Sequence, residues 1–219
     1  MNSKKCMEYL RYGECGIRIV FGDTIDPAIN SRVINYYRHL KSKEITGIID
    51  IVPSFNACLI IFDNTQIEFL RLLNTLRENE AEAVSPIESK PQIHEIPVRY
   101  GGEYGPDMGF VSSFTGLSEK EIVHIHASTV YTVYTIGFIP GFPYLGVLDK
   151  RLFVPRLTTP RTSVPAGSVG LAQLQTGIYT FESPGGWQII GRTDMRLFDY
   201  NNPPYSLLQT GDRVRFIPV

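Results

Sequence analysis

Apolar residues in the first third of the chain recur with two different periods. Ile17 to Phe21 alternates in the manner of a strand and is rich in β-branched residues. Asp26-Pro27 has the composition of a helix start, because Asp accepts the free N–H groups of a first turn and Pro fits within that turn. Helical spacing follows at Ile29, Val33, Tyr37 and Leu40.

Two more strands and a second helix are predicted next. Thr46 to Val52 and Ala57 to Phe62 have strand character and are joined by a turn at residues 53–56. Thr65 to Glu68 has the pattern of a capping box. An amphipathic helix then follows from the spacing of Ile67, Leu70, Leu73 and Leu76. The order of elements is therefore β-α-β-β-α.

The fourth strand of this sheet has two candidates. A strand at Ile93 to Tyr100 would complete a ferredoxin-like split βαβ unit. Alternatively, Met7 to Tyr12 pairs with Ile17 to Phe21, and the strand at residue 93 belongs to the next domain. The sequence leaves both arrangements open.

Composition changes near residue 90. Only 4 of the 19 glycines and 3 of the 15 prolines precede residue 91, and the segment 78–92 is polar and charged like a linker. Beyond it, Pro106-Asp107 predicts a short helix ending at Gly116, and Ser118 to Glu121 is a second capping box. Short strands broken by Gly and Pro follow Val130, as in a compact barrel. We therefore predict an α+β chain with a small α/β-sandwich domain at 1–88, ferredoxin-like or similar, and a β-barrel domain at 89–219.

Charge and cysteine content exclude several classes of protein. The net charge is −1, and residues 1–90 carry 11 basic against 12 acidic side chains, so no nucleic-acid partner is expected. Cys6, Cys15 and Cys58 form neither a disulfide framework nor a zinc motif. The N-terminus lacks a signal-like apolar region, and the apolar runs are too short to span a bilayer. We expect a cytoplasmic protein without a membrane partner.

Glycine, proline, arginine and aromatic residues are concentrated between Gly137 and Phe216. Stretches such as GFIPGFPYLGVLD (137–149) and ESPGGWQIIGRT (182–193) fix the backbone and present a few large or charged side chains. Binding and catalytic surfaces are commonly built in this way.

The same stretches carry a family resemblance. Together with FGDTIDPAINSRV (21–33), DIVPSFNACLIIFD (50–63), IPVRYGGEYGPD (96–107) and residues 116–138, they resemble the B subunit of the bacterial ATP-dependent 5-oxoprolinase. This family also includes the sporulation histidine-kinase inhibitor KipI and proteins labelled allophanate hydrolase subunit 1. The resemblance is strongest from Gly137 to Thr193. Gln173 departs from it, standing where the family usually has Gly.

The resemblance implies a cyclophilin-like barrel for the second domain. It also implies two partner subunits of 5-oxoprolinase, one of the A type and one of the KipA-like C type, in an assembly that couples ATP hydrolysis to opening of 5-oxo-L-proline to L-glutamate. The chain has no G-x-x-x-x-G-K-[ST] motif, so no cofactor is expected on this chain alone. ATP, as its magnesium complex, is expected to be a co-substrate of the complex. The alternative function is inhibition of a histidine kinase by direct binding.

Candidate site residues fall into three groups. Arg156, Arg161 and Arg192 follow Pro or Gly and suit bidentate binding of carboxylate or phosphate. The alternative is a structural role, in which they pair with Asp149, Asp199 or backbone carbonyls at the barrel rim. Neutral hydrogen-bonding groups for a lactam amide are Gln175, Thr176 and Tyr179, with hydrogen bonding to turn backbone as an equal alternative. Aromatic candidates for binding a partner are Phe142, Tyr144 and Trp187. Packing over a barrel end is the alternative for each of them; it is favoured for Trp187, whereas a surface position is favoured for Phe142 and Tyr144.

Histidine offers a candidate for the catalytic base. His124 and His126 lie on a predicted helix, where residues two apart point away from each other, so a metal site is not expected. His126 alone is the candidate general base, against a purely structural role.

Overall fold

The computed structural model describes residues 7–82 and 93–219. The chain divides into two compact units, residues 1–90 and 91–219, which are described separately. The predicted boundary between residues 88 and 89 lies outside the described residues, as does the part of the predicted linker from residue 83 to 92.

The first unit is an antiparallel sheet with two helices. Its strands are β1 (Glu8–Arg11), β2 (Gly16–Val20), β3 (Ile48–Pro53) and β4 (Ala57–Phe62), and its helices are α1 (Pro27–Lys43) and α2 (Phe69–Glu82). Over residues 7–82 the strand order is β1-β2-β4-β3. The fully buried side chains of its core include Ile17, Ile19, Val33, Tyr36, Cys58, Ile60, Phe62, Leu72 and Leu76.

The open question of the fourth strand is answered by β1. It pairs antiparallel with β2 from Glu8 opposite Val20 to Arg11 opposite Ile17. The segment Ile93–Tyr100 lies instead in the second unit, as β5. The arrangement in which residues 93–100 complete the first sheet is therefore wrong, and the alternative is confirmed.

The two predicted starts of the first unit's helices have different outcomes. Asp26 caps α1 as predicted, accepting hydrogen bonds from the N–H groups of Ala28 at 2.8 Å and Ile29 at 3.2 Å. The capping box at Thr65 is wrong. Asp63 takes its place as local acceptor, binding the N–H and the hydroxyl of Thr65, and α2 begins only at Phe69.

The second unit is built on a closed barrel. Its remaining strands are β6 (Val130–Ile136), β7 (Pro143–Gly146), β8 (Arg161–Val164), β9 (Ser168–Ala172), β10 (Gln175–Ile178), β11 (Ser183–Gly185), β12 (Gln188–Arg192) and β13 (Arg213–Pro218). Over residues 93–219, seven strands close in the order β10-β7-β6-β13-β5-β12-β9. The two strands β8 and β11 form a separate antiparallel ribbon.

Closure depends on one parallel pairing between the two ends of this unit. β13 runs parallel to β5 from Arg213 beside Ile93 to Pro218 beside Val98. The barrel interior is filled by fully buried apolar side chains that include Ile96, Val98, Tyr131, Val133, Leu145, Val169, Leu171, Ile178, Ile190, Val214 and Phe216. A β-barrel second domain is thereby confirmed, while its cyclophilin-like character stays a prediction.

Two helices lie between β5 and β6. The helix α3 (Met108–Thr115) ends at Gly116, whose φ of 73° is left-handed, as the sequence predicts. The helix α4 (Glu119–Ser128) begins at a complete capping box, in which Ser118 and Glu121 bind each other's backbone N–H. Across residues 7–82 and 93–219, no helix combines the length and apolar character that crossing a membrane requires.

Gln173 occupies a left-handed backbone position with φ of 54°. A glycine adopts this conformation without a Cβ clash. The expected departure from the family pattern thus falls at a position where glycine has a physical advantage.

We predict that Ser118→Ala lowers the free energy of unfolding of the second unit by about 1 kcal/mol, because the cap of α4 is lost. Urea unfolding followed by the fluorescence of Trp187, the chain's single Trp, measures it. Ser128→Ala at the other end of α4 is the control, expected to change stability by less than about 0.5 kcal/mol. Equal effects of the two substitutions would contradict the assignment of the cap.

Candidate functional site

A glycine on β10 leaves space on one outer face of the barrel wall. Side chains alternate along β10, so Ile178 packs in the barrel core and Gly177 faces outward. A Cβ on Gly177 would lie 2.8 Å from Cζ of Phe142. The absence of a side chain there lets Phe142 lie directly on the barrel wall.

A second apolar cluster covers this wall. Its buried members are Phe142, Val164, Ala172, Tyr179, Trp187 and Ile189. Phe142 lies at the centre, with ring centroids 5.4 Å from Trp187, 5.2 Å from Tyr179 and 4.9 Å from Tyr144. Each of these pairs is edge-on, the favoured geometry of aromatic rings. We call this group the aromatic cluster.

A pocket of about 300 Å³ opens over the aromatic cluster. Its lining residues are Phe138, Phe142, Tyr144, Arg156, Pro160, Tyr179, Pro184, Gly185, Gly186 and Trp187. The lining therefore combines aromatic rings with Pro and Gly residues in or next to the β8–β11 ribbon. We call this the aromatic pocket.

Arg156 is the cation that lines the aromatic pocket. Its guanidinium carbon lies 5.8 Å from the centre of the Trp187 ring, within cation–π range. The side chain is exposed and, among the described residues, forms no salt bridge. Burial raises the pKa of the Tyr144 and Tyr179 hydroxyls, and the charge of Arg156 partly opposes this rise in both. The charge of Arg156 thus acts on the pocket walls.

The other two candidate arginines are held elsewhere. Arg161 forms an ion pair with Asp107, with Nη2 and Oδ1 2.5 Å apart. Arg192 donates from Nε to the carbonyl of Ala166 at 3.0 Å and does not line the described pocket. Internal pairing therefore explains Arg161, although its partner Asp107 was not anticipated.

The three neutral hydrogen-bonding candidates do not lie together in the structure. Tyr179 lines the aromatic pocket. Thr176 lies fully buried within the barrel, hydrogen-bonded to His126 and to the carbonyl of Gly170. Gln175 is outside the described pocket lining, and its buried Nε2 has no partner among the described residues.

The expected surface position of Phe142 is wrong. It is 1% exposed, because Gly177 leaves room for the ring against the barrel wall. Tyr144 is half-buried as a pocket wall, and Trp187 is buried. The exposed ring at the pocket is Phe138, at 63%. Phe138 has a left-handed φ of 72° in the turn before Pro140. The dense Gly-Phe-Ile-Pro-Gly turn was the only sequence signal for this residue.

His126 lies inside the barrel with both ring nitrogens bonded. Its Nε2 is 2.9 Å from Thr176 Oγ1, and its Nδ1 is 2.7 Å from the Tyr100 hydroxyl. Since Thr176 donates its own hydrogen to the Gly170 carbonyl, it accepts from Nε2–H, and Nδ1 accepts from Tyr100. The ring also stacks on Phe216, with centroids 4.4 Å apart.

This position argues against His126 as a general base. The residue is completely buried, and burial lowers its pKa from 6.5 to about 3. A base must reach the proton that it removes, and this one is enclosed by core side chains. His124, two residues away on α4, lies instead at a separate surface pocket, as the helical spacing predicts. Among the described residues, no group of three or more His, Cys, Asp or Glu is placed to hold a metal ion.

Comparison with known proteins defines the class to which this fold and pocket belong. The family model for the carboxyltransferase domain, subdomains C and D, matches residues 7–208. The chain therefore belongs to this carboxyltransferase-domain family.

Within that class the resemblance predicted from the sequence is confirmed. The chain is 38% identical over 217 residues to the 5-oxoprolinase B subunit of Bacillus subtilis, covering 94% of this chain and 90% of the relative. It is 46% identical over 183 residues to the 5-oxoprolinase B subunit of Haemophilus influenzae, covering 83% and 84%. The name of these relatives makes each one a subunit of a larger enzyme.

A solved structure shares the fold within a longer chain. The crystal structure of TTHA0988 matches with a TM-score of 0.82 and 34% identity over 93% of this chain. This chain spans only 40% of the TTHA0988 chain.

We predict that His126 makes the second unit sensitive to acid. In the unfolded chain His126 binds a proton near pH 6.5, whereas in the folded protein burial lowers its pKa to about 3. This contribution to stability is complete above pH 6.5 and falls by up to about 1.4 kcal/mol per pH unit as the pH decreases toward 3. Urea unfolding of the wild type and of His126→Gln, followed by Trp187 fluorescence from pH 7 to pH 4, measures the difference in slope.

His124→Gln is the matched control on the same helix. It should keep the wild-type slope, whereas His126→Gln should flatten it. Parallel slopes for the wild type and His126→Gln would show that His126 can be protonated in the folded barrel.

Proposed function

We propose that this chain is the B-type subunit of an ATP-dependent 5-oxoprolinase. It contributes, with partner subunits of the A and C types, to hydrolysis of 5-oxo-L-proline to L-glutamate. The observation that carries the proposal is the 38–46% identity to 5-oxoprolinase B subunits over 83–94% of the chain.

The aromatic pocket is the place where we propose that this chain contacts the substrate. 5-Oxo-L-proline is a five-membered lactam with one carboxylate, so it needs a flat apolar surface and a cation. The pocket supplies aromatic walls and Arg156, which forms no salt bridge within the described part of the chain. Its volume of about 300 Å³ suits a small ligand. In this pose the ring lies against the aromatic walls and the carboxylate faces the guanidinium.

The chemical step needs groups beyond this chain. An unactivated lactam is a poor electrophile, and phosphorylation of its oxygen by ATP would make it reactive toward water. The sequence has no P-loop, and His126 is buried as a neutral ring. We therefore assign ATP binding and the catalytic base to partner subunits, and orientation of the substrate to this chain.

Reconstitution tests the proposed function. We expect glutamate to form from 5-oxo-L-proline and Mg-ATP when this chain is mixed with A-type and C-type subunits, and not when this chain is omitted. Full activity without this chain, or none with all subunits present, would overturn the proposal. A histidine-kinase autophosphorylation assay with the same preparation tests the alternative function separately.

We predict that Arg156→Gln raises KM for 5-oxo-L-proline in the reconstituted enzyme by about 10- to 100-fold, because a charged hydrogen bond worth about 1.5–3 kcal/mol is lost. Arg156→Lys should lie between Gln and the wild type, since it keeps the charge without the planar fork.

Arg151→Gln is the matched control for this substitution. Arg151 is another exposed arginine of the same unit, but its guanidinium is paired with Asp149 at 2.7 Å. It should leave KM within about twofold of the wild type, as expected for an exposed ion pair. Equal KM values for Arg156→Gln and Arg151→Gln would remove Arg156 from the substrate site.

A further inference from the structure

Asp107 is a nearly buried carboxylate whose position has no explanation in its own helix. It precedes α3 as the N-cap residue, yet its side chain makes no capping hydrogen bond. It is only 8% exposed. A buried carboxylate costs free energy unless it is paired and hydrogen-bonded, so its partners indicate what it does.

Its partners are Ile189 of the aromatic cluster and Arg161 of β8. Oδ2 accepts the backbone N–H of Ile189 at 2.6 Å, and Oδ1 accepts from Nη2 of Arg161 at 2.5 Å. The backbone N–H of Asp107 also donates to the carbonyl of Ile189 at 3.0 Å. Asp107 therefore fixes Ile189, which is the second residue of β12 and lies two residues after Trp187.

Arg161 links Asp107 to residues of the pocket walls. It is the first residue of β8 and pairs across the ribbon with Gly185, which lines the pocket. Its Nη1 donates to the carbonyl of Trp187 at 3.4 Å. The ion pair therefore ties both the ribbon and the backbone of Trp187 to the start of α3.

The same ion pair controls the charge near the pocket. The charge of Arg161 acts on the Tyr179 hydroxyl, lowering its pKa against the larger effect of burial. Without a counterion, Arg161 would add a second cation beside the pocket. With Asp107 bound to it, Arg156 is left as the unneutralised cation of the described pocket lining.

We propose that Asp107 and Arg161 are positioning residues for the aromatic pocket. They hold Trp187 and the β8–β11 ribbon at their observed separation, and they leave a single net positive charge to select a monoanionic planar ligand. Neither side chain lines the pocket. The catalytic readout below rests on the proposed function, whereas the fluorescence readout does not.

Trp187 makes the proposal measurable in the isolated chain, because it is the single Trp of the sequence. We expect Asp107→Asn and Arg161→Lys each to shift Trp187 emission to longer wavelength and to increase acrylamide quenching by about twofold. Asp107→Asn removes one side of the ion pair, and Arg161→Lys removes the guanidinium fork that binds Asp107 and the Trp187 carbonyl together. Asp149→Asn, which breaks the exposed ion pair with Arg151, is the control and should match the wild type.

Titration with 5-oxo-L-proline and the reconstituted assay separate positioning from general destabilisation. Both variants should raise KM by about tenfold with kcat within about threefold of the wild type, the pattern of lost binding rather than lost chemistry. In Asp107→Asn the loosened pocket walls should weaken binding more than the freed charge of Arg161 strengthens it. Far-ultraviolet circular dichroism identifies any variant that fails to fold, and Arg161→Lys is the milder of the two because it keeps the charge.

The outcomes distinguish this proposal from the proposed function. Wild-type emission, quenching and ligand affinity in a folded Arg161→Lys variant would overturn the positioning role. If the complete set of subunits shows no turnover of 5-oxo-L-proline, the proposed function fails. In that case altered emission and quenching in the Asp107 and Arg161 variants, with an unchanged Asp149→Asn control, would still support the positioning role.

Discussion

The parallel pairing of β5 with β13 is the constraint on which the second unit depends. It joins Ile93 to Arg213 and Val98 to Pro218, so the two ends of the unit must meet before the barrel can close. Closure removes the free strand edges and encloses one apolar core. That core includes the neutral ring of His126. Its burial leaves no ring nitrogen without a hydrogen bond, because Tyr100 and Thr176 bind one nitrogen each. A closed and tightly packed barrel then offers a rigid outer wall.

The aromatic pocket depends on a position of this outer wall that has no side chain. Gly177 lets Phe142 contact the barrel, and Phe142 in turn fixes the rings of Tyr144, Tyr179 and Trp187 by edge-on packing. Phe142 is 1% exposed at the base of the pocket lining, so its main effect is to orient the neighbouring rings. Rigid rings lose little conformational entropy on binding, which favours affinity for a small ligand.

Local signals in the sequence predicted the elements that local interactions determine. The Asp26 cap, the Ser118 capping box and the end of α3 at Gly116 each depend on residues within one turn, and each is confirmed. The Thr65 box failed for an equally local reason, since Asp63 competes for the same donors.

Features set by distant residues were not predictable in the same way. The burial of Phe142 depends on Gly177 on another strand, and the role of Asp107 depends on Arg161, which lies 54 residues away. The Gly/Pro-rich stretch therefore indicated where a site would form, but it did not indicate which of its side chains would face the ligand.

The three candidate arginines show how the fold makes this choice. Each follows a proline or glycine, so the sequence offers no basis for distinguishing one from another. In the structure, Asp107 neutralises Arg161, and the carbonyl of Ala166 engages Arg192. Arg156 is held differently, because the face of Trp187 orients a guanidinium without cancelling its charge. An oriented and unneutralised cation beside an aromatic wall is what a planar carboxylate requires, and this difference in partners explains why Arg156, rather than the other two, belongs to the candidate site.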